Sequence, residues 1–325
     1  MLIRLAVCIA AVSALVASAP AGAQSAGSVP RIGVLWQTPP PPPVHPHLAA
    51  LFRNLRDLGW QEGKTIEVEY RYGGNDAARL RALAADLVRS KVDLITTAGD
   101  LSTRAAQQAT RSIPIVALVG HPVESGFAAS LARPGGNITG FAVLADELAL
   151  KRLELLKEMV PKLTRVAVLW DPVTHERQPR MVEAAAGTLG LEVETVRAAS
   201  AAELPGAFEA AQRARAEAML VLISPMFIGA RTELTRLAAT HRLPAMYHTP
   251  AFTEVGGLIA YGPSLDEQWR QVAGIIDRIL RGARVADLPF QQPTRFELDV
   301  NLRAARAIGI EVPRSILLRA DRVVD

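Results

Sequence analysis

The hexapeptide Arg31-Ile-Gly-Val-Leu-Trp36 decides the fold, because a near copy of it, Arg165-Val-Ala-Val-Leu-Trp170, occurs later in the chain. Both copies are short apolar runs rich in branched residues, which is the pattern of a buried strand. Segments of helical period follow each copy. Alternating strands and helices build parallel sheets with right-handed crossovers, so the sequence predicts an α/β protein.

Other landmarks recur at a nearly constant offset between the two halves of the chain. The matched pairs are Leu58-Gly59 with Leu189-Gly190, Glu67-Val-Glu69 with Glu192-Val-Glu194, and Ile113-Pro114 with Leu243-Pro244. Each match is short, but their common spacing indicates an internal duplication. We therefore expect two doubly wound parallel-sheet lobes of similar topology.

The hydrophobic periods predict the individual elements. The first lobe is expected to hold strands at 31–36, 65–71, 92–97 and 113–119, and helices at 48–58, 76–89, 102–110 and 124–131. The second lobe is expected to hold a helix at 148–159 and strands at 165–170 and 218–223. The tail of the chain fits no third repeat. It is expected to hold a helix at 265–280, a strand at 295–300 and a helix at 302–308.

The tail indicates that the chain passes between the lobes more than once, first near Thr139–Ala145. The predicted lobes are residues 31–143 plus 263–289 and residues 144–262 plus 290–325. Several crossings make a multi-strand hinge, which favours rigid-body closure of one lobe on the other.

The first residues predict export. Arg4 gives a positive start, Leu5–Ser18 is apolar or small, and Ala21-Gly22-Ala23 is a small-residue cleavage site. We expect residues 1–23 to be a cleaved signal peptide and the mature protein to be periplasmic. The single cysteine, Cys8, lies inside the apolar run, so the mature chain has no thiol chemistry.

Composition excludes several functions. The formal charge is only +4, with basic and acidic residues interspersed, so nucleic-acid binding is not expected. The catalytic motifs G-x-S-x-G and H-E-x-x-H and the phosphate-binding Walker and G-x-G-x-x-G motifs are absent. The six histidines are scattered along the chain. We therefore expect no enzyme, no cofactor and no metal, and a protein that works as a monomer.

In open parallel sheets, ligands bind beyond the carboxyl ends of the strands. With two facing lobes, those ends should line one cleft for a small molecule. The candidate ligand-binding residues are Trp36, Thr97, Gly99, Asp100, Ser102, His121 and Asn137 in the first lobe, and Asp171, His175, Glu176, Ser224, Phe227, Tyr247 and Tyr261 in the second.

Two alternatives stay open at these positions. Asp100 and Ser102 could cap the helix that they begin, or the helix N-terminus could bind a carboxylate or phosphate. The aromatic residues at the strand ends could form the walls of the cleft or belong to the core.

From Arg31 to Asp325 the chain resembles the TrpX-like ABC transporter substrate-binding proteins, which have a type I periplasmic-binding fold. The motifs that carry the resemblance are Leu58-Gly-Trp60-x-Glu-Gly63, Ala132-Arg-Pro-Gly-Gly-Asn-Ile-Thr-Gly140, Lys151-Arg-Leu-Glu-Leu-Leu156, Gly256-Gly-Leu258 with Tyr261-Gly262, and Gln292-Pro-Thr-x-Phe-Glu-Leu298. The resemblance implies an ABC importer with permease subunits in the inner membrane as partners, a solute held between lobes, and no catalytic residues.

Two departures from the family pattern concern the ligand. Relatives commonly have Gly-Asp-Pro-Val where this chain has Gly120-His121-Pro122-Val123, and Asn-Pro where it has Asp171-Pro172. If the family aspartate pairs with a ligand ammonium, His121 does not replace it at neutral pH. Either Asp171 takes over that charge or the ligand lacks an amine.

Three other functions compete with import. A periplasmic sensor would present its closed form to a membrane receptor, using the same closure. An exported enzyme would use Asp171, His175 and Glu176. A repressor with the same two-lobed fold is disfavoured, because the signal peptide stands where a DNA-binding headpiece would be.

Overall fold

The computed structural model describes residues 29–38, 46–174 and 177–325. The predicted signal peptide at residues 1–23, Cys8, and the candidate ligand residues His175 and Glu176 lie outside the described residues. Those assignments stay predictions.

The first lobe is built on a parallel five-stranded sheet. Its strands are β1 (Arg31–Trp36), β2 (Glu67–Tyr72), β3 (Leu94–Ala98), β4 (Ile115–Val119) and β5 (Ile138–Ala142), in the order β2-β1-β3-β4-β5. The helices between them are α1 (Pro46–Asp57), α2 (Ala77–Arg89) and α3 (Asp100–Ala109).

The second lobe is built on a seven-stranded sheet in the order β12-β11-β10-β9-β8-β6-β7. Its strands are β6 (Arg165–Trp170), β7 (Glu192–Arg197), β8 (Ala218–Val221), β9 (Ala245–Tyr247), β10 (Ile259–Pro263), β11 (Phe296–Asn301) and β12 (Arg322–Val324). Its helices are α4 (Ala145–Met159), α5 (Arg177–Ala186), α6 (Leu204–Arg213), α7 (Pro225–Gly229), α8 (Arg231–Thr240), α10 (Leu302–Ile308) and α11 (Arg314–Leu317).

The duplication is confirmed by the topology. The first five strands of each lobe have the same order, since β7-β6-β8-β9-β10 repeats β2-β1-β3-β4-β5. Even the register recurs, because Arg31 pairs with Glu67 and Arg165 pairs with Glu192. The second sheet is then extended by β11, which is antiparallel to β10.

Two element predictions are wrong. Residues 124–131 form turns and bends without a helix, and the segment from Ile138 to Ala142 is the edge strand of the first sheet. The chain therefore crosses between lobes after β5, at residues 142–145, at the end of the expected range.

Helix α9 (Leu265–Leu280) follows the second lobe in sequence but packs against α1, β4 and β5 of the first lobe. Its Trp269 is fully buried, with its ring centroid 6.1 Å from that of Trp36. The chain then pairs with β5 through a bridge between Phe141 and Gln291 before it enters β11. The lobes are thus connected at three places, residues 142–145, 263–265 and 291–296.

Candidate ligand cleft

A cleft of about 1030 Å³, open mouth included, lies between the lobes at the carboxyl ends of the strands. Residues following β1, β3 and β4 line it from the first lobe, and residues following β6, β8 and β9 line it from the second. Val143, Ala145 and Pro263 of the crossing segments also line it. The parallel topology therefore brings the loops of both halves to one site.

Most of the wall is apolar. Trp36 lies at the end of β1, and its ring packs against that of Trp269. The other apolar residues of the wall are Ala98, Leu101, Leu118, Val119, Val143, Ala145, Val173, Ile223, Pro225, Ile228 and Pro263. Such a surface favours a ligand with a sizeable apolar body.

Helix α3 points its N-terminus at the cleft. Its N-cap residue is Gly99, and no side chain caps the helix. The hydroxyl of Ser102 donates instead to the carbonyl oxygens of Ala98 and Gly99, both at 3.0 Å. Asp100 accepts a hydrogen bond of 2.9 Å from Ser125. Of the two alternatives for Asp100 and Ser102, the one in which they cap this helix is therefore wrong. The N–H groups of a first helical turn have no partner within the helix.

Gly99 is a point of close approach across the cleft. A β-carbon at this residue would lie 2.1 Å from Oε1 of Gln37 and 3.1 Å from Cγ of Pro225. Gln37 belongs to the first lobe and Pro225 to the second, so the two lobes meet here. The φ angle of Gly99 is 94° and its ψ angle is 156°, a combination essentially confined to glycine.

Among the buried polar atoms of the wall that have no hydrogen-bond partner within the described residues are Oε1 of Gln37, in the first lobe, and the hydroxyl of Thr249, in the second. Both residues are at least nine-tenths buried. A buried polar atom without a partner costs about 1–3 kcal/mol, so the cleft offers hydrogen-bonding groups that a ligand can satisfy.

His248 and Arg152 set the electrostatics behind the second wall. Burial, and secondarily the charge of Arg152, holds the pKa of His248 well below 6.5, so His248 is neutral. Arg152 is fully buried and donates to the carbonyl oxygens of Tyr261 at 2.6 Å and His248 at 3.4 Å. Burial lowers the pKa of Arg152 to about 9, which leaves it charged at neutral pH.

A family profile for ABC transporter substrate binding proteins matches residues 46–324. The chain belongs to that family. The match confirms the resemblance to TrpX-like substrate-binding proteins that the sequence motifs indicated. Members of this family bind solutes and are not enzymes.

Individual relatives agree with this membership. The chain is 24% identical over 275 residues to a tyrosine-binding protein of Clostridioides difficile (strain R20291), covering 82% of this chain and 79% of that protein. Among solved structures, it is similar to a conserved domain protein from Vibrio cholerae O1 biovar El Tor, with a TM-score of 0.82, 24% identity and coverage of 91% and 100%. It is also similar to an ABC domain in complex with L-Trp from Streptococcus pneumonia, with a TM-score of 0.79, 22% identity and coverage of 91% and 100%. These neighbours confirm the type I periplasmic-binding fold.

In this substrate-binding protein, five of the predicted ligand residues line the cleft. They are Trp36, Gly99, Asp100, His121 and Ser224. Ser224 is fully buried, and it caps the short helix α7 by accepting from the N–H groups of Met226 and Phe227.

Three predicted residues of the first lobe do not reach the cleft. Thr97 and Ser102 are buried beneath the start of α3, where the hydroxyl of Thr97 bonds that of Thr103 at 2.8 Å. Asn137 precedes β5, so it lies at the opposite end of the sheet. Its amide donates to the carbonyl oxygen of Ile113 at 2.7 Å. Placing it at a strand's carboxyl end was wrong, because the following segment is itself a strand.

Asp171 is also turned away from the cleft, although its loop neighbours Val173 and Thr174 line it. One carboxylate oxygen accepts from the hydroxyl of Ser224 and the other from the N–H of Val173. Burial raises the pKa of Asp171, and these two hydrogen bonds oppose the rise. Asp171 therefore holds two loops of the wall together. Of the two alternatives stated above, the one in which Asp171 takes over the charge of the family aspartate does not agree with this position.

The remaining aromatic residues belong to the core. Phe227 and Tyr247 are buried in the cluster around β6, β8 and β9, and the ring of Tyr247 stacks on Phe252 at 4.5 Å. Tyr261 packs against the cluster beside α4 and stacks on Phe296 at 6.0 Å. The core interpretation of these strand-end aromatics is thus the right one.

Several polar residues of the wall were not predicted from the sequence. They are Gln37, His47, Gln178, His248, Thr249 and Gln268. Gln37 and the pair His248-Thr249 directly follow predicted strands, so they could have been found by the rule that selected their neighbours. Gln178 and Gln268 lie on helices α5 and α9, and no sequence signal indicated them.

Within residues 29–38, 46–174 and 177–325, no three His, Cys, Asp or Glu residues are grouped to hold a metal ion. No helix in those same ranges has the length and apolar character to cross a membrane.

Proposed function

We propose that this chain is the exported binding component of an ABC importer, and that its ligand is an amino acid with a large apolar or aromatic side chain. The observation that carries the proposal is the cleft itself, an apolar chamber between two lobes with a few buried polar groups. That combination suits a compact ligand with one polar head and one apolar body.

The polar head would lie between the lobes. The first turn of α3 offers N–H groups that favour a carboxylate. Oε1 of Gln37 can accept a hydrogen bond, and Asp100 lines the same cleft; an amide oxygen and a carboxylate both suit an ammonium group. The free hydroxyl of Thr249 approaches from the other lobe. The side chain of the ligand would then lie against Trp36 and the aliphatic residues around it.

Relatives support the same ligand class. One curated relative is a tyrosine-binding protein, and one structural neighbour is in complex with L-Trp. The replacement at His121 does not require a different class, because Asp100 already provides a carboxylate within the cleft.

The cellular part of the proposal rests on the sequence and the family. Binding proteins of ABC transporters typically work outside the cytoplasm, and residues 1–23 have the pattern of a cleavable signal peptide. The mature protein is proposed to begin at Gln24, to work as a monomer without enzymatic activity, and to deliver its ligand to permease subunits. Its lobes would be residues 31–143 plus 263–289 and 144–262 plus 290–325.

Calorimetric titration of mature protein with tyrosine, tryptophan and phenylalanine tests the ligand. Tyramine, which lacks the carboxylate, and 3-(4-hydroxyphenyl)propionate, which lacks the amine, are the matched controls. We expect at least one amino acid to bind and both truncated analogues to bind at least tenfold more weakly. Equal binding of an analogue, or binding of a sugar and no amino acid, would contradict the proposed ligand.

Uptake in cells tests the importer. Deleting the gene should abolish uptake of the labelled amino acid, and the signal-peptide cleavage site should be visible in the mass of the periplasmic protein. Normal uptake combined with a lost transcriptional response to the amino acid would instead support the sensor.

A further inference from the structure

An ion-pair cluster connects the two lobes at one side of the cleft. Nε2 of His121, in the first lobe, lies 3.1 Å from one carboxylate oxygen of Asp146, at the start of α4 in the second lobe. Nε of Arg177, at the start of α5, lies 2.6 Å from the other oxygen. Arg177 also approaches Glu124 of the first lobe, with 3.8 Å between Nη1 and Oε1.

Because the carboxylate of Asp146 is buried, the stability of this cluster depends on the positive charges beside it. The side chain of Asp146 is only 2% exposed, while that of Arg177 is 53% exposed. A buried carboxylate is costly unless cations and hydrogen bonds compensate it. The second lobe supplies Arg177 on its own, but the second cation comes from the first lobe and is present only when His121 carries a proton.

We propose that His121 is a proton-linked closure residue, whose protonated ring binds Asp146 when the lobes close and which thereby makes ligand affinity depend on pH. The proposal rests on the proposed function only in taking the bound solute as the agent that keeps the lobes closed.

The sign of the effect follows from the neighbours of His121. The hydrogen bond to Asp146 raises the pKa of His121, burial opposes it, and the charges of Asp146 and Glu124 raise the pKa further while Arg177 lowers it. The net direction is upward from 6.5. The other charged group of this wall is Asp100 at the start of α3, and His47 and the neutral His248 line the same cleft.

When the lobes open, His121 leaves Asp146 and its pKa returns toward that of an exposed histidine, about 6.5. Below that value the ion pair of protonated His121 with Asp146 stabilises the closed form fully. This stabilisation is lost as pH rises through the higher pKa of the closed form. Between the two values, affinity falls by at most about tenfold for each pH unit.

Calorimetry with tyrosine or tryptophan as the probe tests the linkage. Binding is measured at pH 7 in phosphate and in Tris, whose ionisation enthalpies differ, so that the difference in heat gives the protons taken up. We expect fractional uptake for the natural protein and none for His121→Gln. Affinity should fall between pH 6 and pH 8.5 in the natural protein and stay flat in the variant.

The matched control is His241→Gln. His241 packs against Phe208, outside the wall of the cleft, with their rings 5.4 Å apart. This variant should keep the proton uptake of the natural protein. Absence of uptake in the natural protein, or equal uptake in His121→Gln, would overturn the proposal.

A second measurement needs no ligand, so failure of the proposed ligand would not hide failure of the closure residue. Spin labels on Ala78→Cys in the first lobe and Ala202→Cys in the second, both exposed, report the distance between lobes in a mature chain that has no other cysteine. The short-distance population should grow between pH 8.5 and pH 6, and His121→Gln should remove that growth. A distribution that does not change with pH would refute the proposal even if an amino acid binds.

Discussion

Replacing Gly99 by alanine should damage stability and ligand affinity by two separable mechanisms. The backbone of Gly99 has φ 94° and ψ 156°. Holding any other residue in such a conformation costs about 1–3 kcal/mol. This cost is local to the first lobe and is present whether the lobes are open or closed. For a protein of this size it lowers Tm by roughly 2–5 °C.

The second mechanism acts only on closure. The new methyl group would lie 3.1 Å from Cγ of Pro225 across the cleft, closer than two carbons normally approach. Overpacking of this kind costs about 1–3 kcal/mol, so the ligand should bind roughly 5- to 150-fold more weakly.

Thermal unfolding without ligand measures the first mechanism, and calorimetric titration measures the second. The control is Gly136→Ala, because a β-carbon at Gly136 meets nothing within 4 Å and its φ is not positive. That variant should change neither quantity. If Gly99→Ala kept both the Tm and the Kd of the natural protein, the account of Gly99 as the contact between lobes would be wrong.

Three further substitutions test the assignments at the wall. Ser224→Ala should reduce the free energy of unfolding by about 1.5–3 kcal/mol at pH 7, and by less at pH 4, because the raised pKa of Asp171 makes its carboxyl group take up a proton at a higher pH than usual; an equal loss at both pH values in urea unfolding would contradict this. Thr249→Val should leave the free energy of unfolding of the ligand-free protein unchanged or slightly higher, because it removes an unsatisfied hydroxyl. It should weaken ligand binding about five- to tenfold, and an unchanged Kd would exclude Thr249 from the site. Asn137→Ala should cost about 1 kcal/mol of stability with Kd unaltered, and weaker binding would mean that this residue does act at the cleft.

The repeated architecture could be predicted from the sequence because its signals are local and occur twice. Buried strands and amphipathic helices leave periodic patterns, and the duplicated hexapeptide fixed the order of the elements. Strand β5 was not predicted, because a glycine such as Gly140 within Ile138–Ala142 is more typical of a loop. A β-carbon at Gly140 would lie 1.9 Å from the carbonyl oxygen of Ala117, so glycine is required where β4 and β5 approach.

The cleft could be predicted only at the level of loops. The rule about strand ends found the right segments, but alternate residues of an extended chain face opposite sides, and single positions were chosen by chemical type. Tyr247 was selected as an aromatic residue, whereas its neighbours His248 and Thr249 line the cleft. The cluster of His121, Asp146 and Arg177 joins residues of different lobes, and such contacts leave no periodic signal in one sequence.

The late position of α9 has a consequence for how the chain acquires its structure. The core of the first lobe includes Trp269, Val272 and Ile276, which are synthesised long after the strands of that lobe. The first lobe therefore remains incomplete until about residue 280 is available. Contacts between residues so distant in sequence form slowly. Until those contacts form, part of the apolar surface of the first lobe stays uncovered.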